Sequence, residues 1–400
     1  MGLRERLDRL TGAPPPPVPE EGTPLVARLA RLRARSVAGS EVRVADEQGL
    51  AEHLAAERLA PGVLCREQQL PGAETWGSST LDQGRAALPE LCDGPAGDPT
   101  GWRFLDTETS GLAGGTGTWV FQVGILRPMA GGWRLRQFLL ARLDAEAAFL
   151  AAIAEELAGV SRLVTYNGKS FDRPLLATRF RLVGIADPLA EAPHLDLLAW
   201  VRRAFAEVWG DCRLVSAEER LLGLRRFDDL PGAAAPQAWL DWLRQGRVAP
   251  LEAVLRHNRR DLLSLAVLPV PLALTYRDPA ATGAAPQSIA GHHVARGAPH
   301  HALAILEANA ARLTPAARLL QATLYRRRGD WDAASRIWAA LAEQQEPAAL
   351  LALAKFHEHS RADPVAALAV AERLPPGPDR DRRCARLAAK LGRARNGGAS

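Results

Sequence analysis

Two carboxylates stand close together in the segment FLDTETSGL (residues 104–112). Asp106 and Glu108 are two positions apart at the end of a short apolar run that is typical of a buried strand. Alternate residues of a strand point to the same side, so the two acids share a face. Crowded acids repel each other, and a divalent cation removes the conflict because hard metal ions prefer carboxylate oxygens. The pair therefore predicts a divalent-metal site.

Two later segments supply further candidate ligands. In TYNGKSFDRP (residues 165–174), Asn167-Gly168 ends a strand and Asp172 opens the next helix. In HNRRDLLSL (residues 257–265), His257 and Asp261 are four positions apart and share one face of a helix. We expect these side chains to converge on a site for two Mg²⁺ or Mn²⁺ ions. Its four metal-binding acids would be Asp106, Glu108, Asp172 and Asp261.

His257 and Lys169 have functional and structural interpretations. An imidazole, whose ordinary pKa is about 6.5, can accept the proton of an attacking water; the alternative is a histidine that caps or packs on its helix. Lys169 is one of three lysines among 50 basic residues, and its ammonium would contact a substrate phosphate or remain solvated in a loop. Thr107, Asn167 and Lys169 are the candidate substrate contacts.

Hydrophobic patterns predict an α/β arrangement around these residues. Predicted strands cover 102–106, 118–127, 133–140 and 161–166, and predicted helices cover 144–158, 170–183, 195–208, 237–245 and 251–266. Asp144 is a candidate N-cap of the first of these helices. This order favours a mixed sheet with helices on its faces.

Composition shifts divide the chain into four parts. Residues 1–40 hold a proline run between arginine-rich stretches and predict a disordered tail; residues 41–98 form an N-terminal extension that begins with a helix-like patch at 48–59. The α/β domain is expected over 99–276 and an all-α repeat domain over 286–395. In the last part, Gly297, Gly329 and Ala362 recur at offsets of 32 and 33 residues, and each precedes an alanine by five. These offsets are close to the roughly 34-residue tetratricopeptide period.

The three acidic segments resemble, in order and separation, the three exonuclease motifs of the DEDD superfamily of ribonuclease-H-like enzymes. The likeness is closer to a subfamily of predicted exonucleases with C-terminal tetratricopeptide-type repeats. It runs from about Phe104 to Leu268 and includes HLDLL (194–198) and EERLLGLRRFDDLPG (218–232). The resemblance implies a ribonuclease-H-like α/β domain followed by tetratricopeptide-like helices, and it places Asp106, Glu108, Asp172 and Asp261 on the four metal-binding positions.

One spacing departs from that resemblance. The well-known branches have Tyr-x-x-x-Asp or His-x-x-x-x-Asp in the third motif, whereas here His257 precedes Asp261 at the tyrosine spacing. One residue turns a helix by about 100°, so the position of the imidazole does not follow from either branch. Within the same resemblance, structural salt links account for Asp196, Glu219, Arg226 and Asp229. The alternative, a place lining the site, fits Asp196 better than the other three.

Charge distribution favours a nucleic-acid partner held by the repeats. The net charge is +5, but residues 286–400 carry 17 Lys and Arg against 10 Asp and Glu, whereas the remainder has a net charge of −2. The repeats could also bind an acidic protein. Apolar runs are too short to cross a membrane, and four scattered cysteines are typical of a reducing cytoplasm.

Three functions fit these features. The first is an exonuclease that removes nucleotides of DNA or RNA from a 3′ end, as the resemblance implies. The second is a structure-selective endonuclease with the same metal chemistry. The third is a non-catalytic adaptor for nucleic acid or protein, which retention of all four acids disfavours.

Overall fold

The computed structural model describes residues 46–92, 94–111, 116–227, 229–231 and 234–397, with side chains to residue 393. The tail predicted over residues 1–40 lies outside the described residues, as does Leu112 at the end of the first acidic segment.

A seven-stranded mixed sheet forms the centre of the structure, in the order β1-β2-β7-β6-β5-β8-β9. Neighbours from β1 to β5 are antiparallel, and β8 and β9 continue parallel to β5. The strands, including the separate hairpin β3–β4, are β1 (Glu57–Ala60), β2 (Val63–Leu70), β3 (Thr75–Trp76), β4 (Ser79–Thr80), β5 (Trp102–Thr109), β6 (Val120–Met129), β7 (Gly132–Leu140), β8 (Arg162–Thr165) and β9 (His194–Asp196).

Helices cover both faces of this sheet. They are α1 (Glu47–Leu54), α2 (Leu81–Ala87), α3 (Glu146–Leu157), α4 (Asp172–Leu182), α5 (Leu197–Phe205), α6 (Leu214–Ala217), α7 (Ala235–Gln245), α8 (Ala249–Val267), α9 (Pro269–Arg277) and α10 (Pro279–Thr282). Strand β5 shows how the two cores arise. Trp102 and Phe104 lie in one buried cluster and Leu105 in the other, as the alternation of strand side chains requires. The expected mixed sheet with flanking helices is confirmed.

The segment that precedes the α/β domain is part of the sheet. Strand β2 pairs with β7 along its whole length, from Val63 opposite Leu140 to Leu70 opposite Trp133. The helix predicted over 48–59 was wrong in its second half, because Ala55 takes a left-handed backbone (φ 49°) that ends α1, and β1 follows.

Asp144 does not cap α3. It lies in a 3₁₀ turn (Leu143–Ala145), and its carboxylate binds the neighbouring Arg142. Helix α3 begins only at Glu146. The helical pattern predicted α3 correctly, but the predicted N-cap was wrong, because the Asp144 carboxylate binds Arg142 and not the N-terminal N–H groups of the helix.

Helices continue to the end of the described chain. They are α11 (Pro286–Ala295), α12 (Pro299–Ala308), α13 (Pro315–Arg327), α14 (Trp331–Glu343), α15 (Pro347–His359), α16 (Pro364–Glu372) and α17 (Pro378–Gly397). Each packs against the next along the chain. The recurring Gly297, Gly329 and Ala362 all have positive φ angles (73°, 87° and 53°) at turns between helices. Left-handed backbone explains glycine at two of these positions.

The first of these helices share a core with the sheet. Ile289 of α11, Leu303 of α12 and Leu324 of α13 belong to the same buried cluster as Phe104. Burial of this apolar surface fixes α11–α13 against the α/β part. Among the helices that the structure describes, none has the length and apolar character needed to span a bilayer.

Candidate active site

Asp106 lies near the end of β5, opposite Gly124 of β6. A Cβ atom on Gly124 would lie 2.1 Å from Asn258 Oδ1, so the bare glycine lets α8 approach the sheet closely. Asn258 Nδ2 then donates to Asp106 Oδ2 at 2.8 Å and to its carbonyl oxygen at 3.2 Å. The close approach of helix and strand thus fixes one oxygen of the first acid.

Asp172 is the first residue of α4 and is oriented from β5. The Thr107 hydroxyl donates to Asp172 Oδ1 at 2.6 Å. Thr107 was expected to contact the substrate. In the structure its hydroxyl donates a hydrogen bond to Asp172, one of the four candidate acids.

Asp196 shapes the turn between β8 and α4. Its buried carboxylate accepts the backbone N–H groups of Asn167 (2.7 Å), Lys169 (3.0 Å) and Leu198 (3.1 Å). Asn167 has a left-handed backbone (φ 70°), which asparagine tolerates better than most residues. The Lys169 side chain is exposed beside this turn. Asp196, for which a structural salt link was expected, therefore holds the loop that carries Asn167 and Lys169 through backbone hydrogen bonds.

Helix α8 brings the third segment to the strand acids. His257 Nε2 lies 3.8 Å from Asp261 Oδ2 and 4.0 Å from Glu108 Oε1. Asp261 shares its helix face four residues on, while Glu108 reaches the same imidazole from β5. The structure thus brings the histidine and acids of two distant segments into one group.

An arginine that sequence reasoning assigned to salt links lies inside this group. Arg226, with 9% of its side chain exposed, donates to three acids. These contacts are Nε to Glu218 Oε2 (2.6 Å), Nη1 to Asp229 Oδ2 (2.8 Å) and Nη2 to Asp261 Oδ1 (2.6 Å). Glu218 also accepts from Ser264 of α8. Arg226 therefore anchors the loop after α6 to the helix that carries His257 and Asp261.

Asp229, on that loop, holds the imidazole. Its two carboxylate oxygens lie 3.0 and 2.9 Å from His257 Nδ1. A proton on Nδ1 satisfies this contact and leaves Nε2 facing Glu108 and Asp261. Sequence reasoning missed this role because Asp229 is 28 positions from His257 and lies on a loop without periodicity.

Burial and neighbouring charges change the pKa values of the acids. Burial raises the pKa of Asp106 well above its ordinary value, and the charges of Asp261, Asp172 and Glu108 raise it further. Burial likewise raises the pKa of Glu108 to about 7, although His257 opposes the change. Burial raises the pKa of Asp172 to about 6 against the opposing hydrogen bond from Thr107. Full ionisation of this group is therefore costly without a compensating cation.

For Asp261 and His257, burial and the neighbouring charged groups act on the pKa in opposite directions. Burial raises the pKa of Asp261, while His257 and Arg226 oppose the rise. Burial alone would lower the pKa of His257, but the hydrogen bond with Asp229 and the charges of Asp261 and Glu108 raise it overall. The imidazole and the acids thus stabilise each other's charged forms.

The donor set is suited to a hard divalent cation. All four acids offer carboxylate oxygens, which Mg²⁺ and Mn²⁺ prefer. Within the described ranges, no three His, Cys, Asp or Glu side chains lie at the spacing of a preassembled metal cluster. Asn258, Thr107 and Arg226 each hold an oxygen of one acid. The acids therefore form an open group that is oriented by protein donors.

Comparisons with known proteins agree on the fold of this region. Residues 103–272 match the family model RNase_H_2, described as RNase_H superfamily. The chain is 32% identical over 280 residues to "Uncharacterized protein YprB" of Bacillus subtilis (strain 168), covering 67% of this chain and 68% of that protein.

A family B DNA polymerase from the hyperthermophilic archaeon Pyrobaculum calidifontis is similar at 15% identity with a TM-score of 0.35. That match covers 76% of this chain but spans only 39% of the polymerase chain. With the family model and the YprB match together, the chain belongs to the RNase_H superfamily, in the family that includes YprB.

Proposed function

We propose that this protein is a divalent-metal-dependent nuclease of the DEDD group that removes nucleotides from the 3′ end of DNA or RNA. Membership of the RNase_H superfamily indicates a nuclease or another activity on nucleic acids. The observation that carries the finer proposal is that burial raises the pKa of all four acids, Asp106, Glu108, Asp172 and Asp261, and that repulsion from the other members adds to the rise at Asp106 and Glu108. A protein retains such a group of mutually repelling acids where a bound cation offsets their charge.

The four acids would hold two Mg²⁺ or Mn²⁺ ions. When bound, such ions supply a strongly polarised water and offset the negative charge of the phosphate during phosphodiester hydrolysis. Asn258 and Thr107 restrain Asp106 and Asp172, so each acid presents its remaining oxygen in a defined direction. Preorganised donors of this kind reduce the reorganisation that the reaction would otherwise require.

His257 accepts the proton of the attacking water at Nε2. The contact of Nδ1 with Asp229 keeps the opposite nitrogen free for that role and stabilises the imidazolium that forms. This arrangement also accounts for the unusual spacing to Asp261. The imidazole position is set by a loop carboxylate as well as by the helix.

The exposed Lys169 ammonium contacts a substrate phosphate beside the acids. Asn167 shapes the same turn and offers its amide to substrate, and Thr107 acts through Asp172. These assignments place the scissile phosphate between the end of β5 and the start of α4.

We further propose that helices α11–α16 are tetratricopeptide-like repeats, with α17 closing the array, behind a ribonuclease-H-like domain over residues 99–276. Successive helix packing and the recurring positive-φ turns at Gly297, Gly329 and Ala362 support repeats over 286–395. The buried core common to α11 and β5 would attach the first repeat rigidly to the catalytic part.

Digestion of 3′- and 5′-labelled single- and double-stranded DNA and RNA, with Mg²⁺, Mn²⁺ or EDTA, tests this function. We expect metal-dependent shortening from the 3′ end by the wild type and loss of cleavage in Asp172→Asn with an unchanged circular dichroism spectrum. Asp187→Asn, at a half-buried aspartate outside this group of acids, is the matched control. Cleavage of circular single strands would identify an endonuclease. Equal activity of wild type and Asp172→Asn would refute the assignment of the acids.

A further inference from the structure

A groove in two adjoining parts runs along the last helices. Its first part, of about 450 Å³, lies between α13 and α15 and is floored by Trp331, Trp338 and Phe356. Its second part, of about 580 Å³, lies between α15 and α17. Ala348 and Leu351 of α15 line both parts, so the two lie side by side. Together they form the α13–α15–α17 groove.

The walls of the groove are strongly basic. Six Lys and Arg side chains line it against one acid, Asp379; they are Arg326, Lys355, Arg380, Arg382, Arg383 and Arg386. Arg382 binds Asp379, while Arg383 and Arg386 bind the buried Glu358. Within the part of the chain that the structure describes, no acid pairs with Arg326, Lys355 or Arg380. The positive charges of Arg326, Lys355 and Arg380 are therefore available to an anion in the groove.

Trp331 supplies an exposed aromatic ring beside these charges, whereas Trp338 and Phe356 are buried. Trp331 is 41% exposed and stacks on Phe356, with ring centroids 6.0 Å apart and an angle of 18° between the planes. A ligand that covers this ring would remove apolar surface from water. An aromatic platform between cations suits a single strand of nucleic acid, whose bases stack while its phosphates contact the basic walls.

We propose that the α13–α15–α17 groove binds single-stranded nucleic acid, with a base stacked on Trp331 and phosphates on Arg326 and Lys355. This inference rests on the proposed nuclease function, for which it names the substrate as an unpaired strand. A duplex hides the faces of its bases, so it gains the phosphate contacts of the groove but not the stacking. An acidic peptide matches the charge of the walls but offers no row of flat rings.

The test measures fluorescence anisotropy of a labelled short oligothymidylate with the full-length protein in EDTA, across a salt series. The charge reversal Arg326→Glu/Lys355→Glu is compared with Arg336→Glu/Lys390→Glu, which exchanges one exposed Arg and one exposed Lys of the same helical region outside the groove. Each phosphate contact with a single strand contributes about 0.7 to the salt slope. The groove variant should therefore bind at least tenfold more weakly than the control, with a slope lower by about 1.4.

Trp331 separates stacking from charge. Trp331→Ala should weaken binding of the single strand on the order of tenfold and leave binding of a matched duplex nearly unchanged. Trp331→Phe should retain most of the binding of the single strand. Equal binding by the groove and control reversals would overturn the proposal. So would an equal effect of Trp331→Ala on single strand and duplex. Tighter, groove-dependent binding of a poly-glutamate peptide would assign the surface to an acidic protein.

A parallel assay separates this inference from the proposed function. A dinucleotide has one phosphodiester bond, and once this bond lies at the acids no phosphodiester is left for the groove, so its Mn²⁺-dependent hydrolysis should be unchanged in Arg326→Glu/Lys355→Glu. Normal hydrolysis with normal strand binding in that variant would refute the groove alone. Groove-dependent strand binding by a wild type that cleaves no nucleic acid would refute the nuclease function alone.

Discussion

Replacing Glu108 by glutamine is expected to stabilise the metal-free protein in a pH-dependent way. Burial and the neighbouring acids raise the pKa of Glu108 from its ordinary 4.5 to about 7, and the side chain is 13% exposed. Its carboxyl therefore holds a proton more tightly in the folded than in the unfolded chain. The cost of ionising it in the fold is absent below pH 4.5, grows between pH 4.5 and about 7, and is complete above that.

The size of this effect follows from the same values. A tenfold change in an ionisation equilibrium corresponds to about 1.4 kcal/mol, so the rise to about 7 corresponds to a cost on the order of 3 kcal/mol as an upper limit. No described side-chain hydrogen bond is lost in Glu108→Gln. The variant should approach that gain at pH 8 and show none at pH 4.

Urea denaturation in EDTA at both pH values measures the gain, with the exposed Glu155→Gln of α3 as control. Saturating Mn²⁺ should offset most of this gain at pH 8, because an ion that binds only the native state at a hundred times its Kd contributes about 2.7 kcal/mol to the wild type. Equal gains at pH 4 and pH 8, or no gain relative to Glu155→Gln, would refute the electrostatic argument.

Two further substitutions test the loop that carries Arg226 and Asp229. Asp229→Asn removes a charge that raises the pKa of His257. The acidic limb of the pH–rate profile should therefore move to lower pH, and the plateau rate should fall. An unchanged midpoint of that limb would show that Asp229 does not act on the imidazole. Arg226→Met leaves Glu218, which is only 1% exposed, without its ion pair and should lower the free energy of unfolding by about 3–5 kcal/mol. Arg225→Met, which removes an exposed ion pair, should lower it by less than about 1 kcal/mol. Equal losses of the two variants in urea denaturation would contradict a buried network.

Local periodicity predicted the relations within single elements. Asp106 and Glu108 share one side of β5 because strand side chains alternate, and His257 and Asp261 share one side of α8 because a helix repeats nearly every four residues. These rules place a side chain on a face of its own element. They do not place one element against another, so the expected convergence of the three segments depended on the metal chemistry of the acids and on the family resemblance.

Contacts between distant loops were beyond such patterns. Arg226 lies 35 positions before Asp261, and although structural salt links were expected for Arg226, nothing in its surroundings in the sequence identifies Asp261 as a partner. The role of Gly124 could not be predicted from its surroundings in the sequence either. Because it lacks a side chain, Asn258 can approach closely enough to bind Asp106. Sequence reasoning also missed the pairing of β2 with β7, because register depends on the partner strand as well as on the pattern of one strand.

Binding of Mn²⁺ tests the central claim, that four acids form one divalent-metal site, most directly. Metal-free wild type would be titrated with Mn²⁺ at pH 8, with the free ion followed by electron paramagnetic resonance. We expect two ions to bind per chain, and saturable binding to be lost in Asp106→Asn/Asp261→Asn while that variant stays folded. Absence of saturable binding to the wild type, or equal binding by the double variant, would contradict the proposed site.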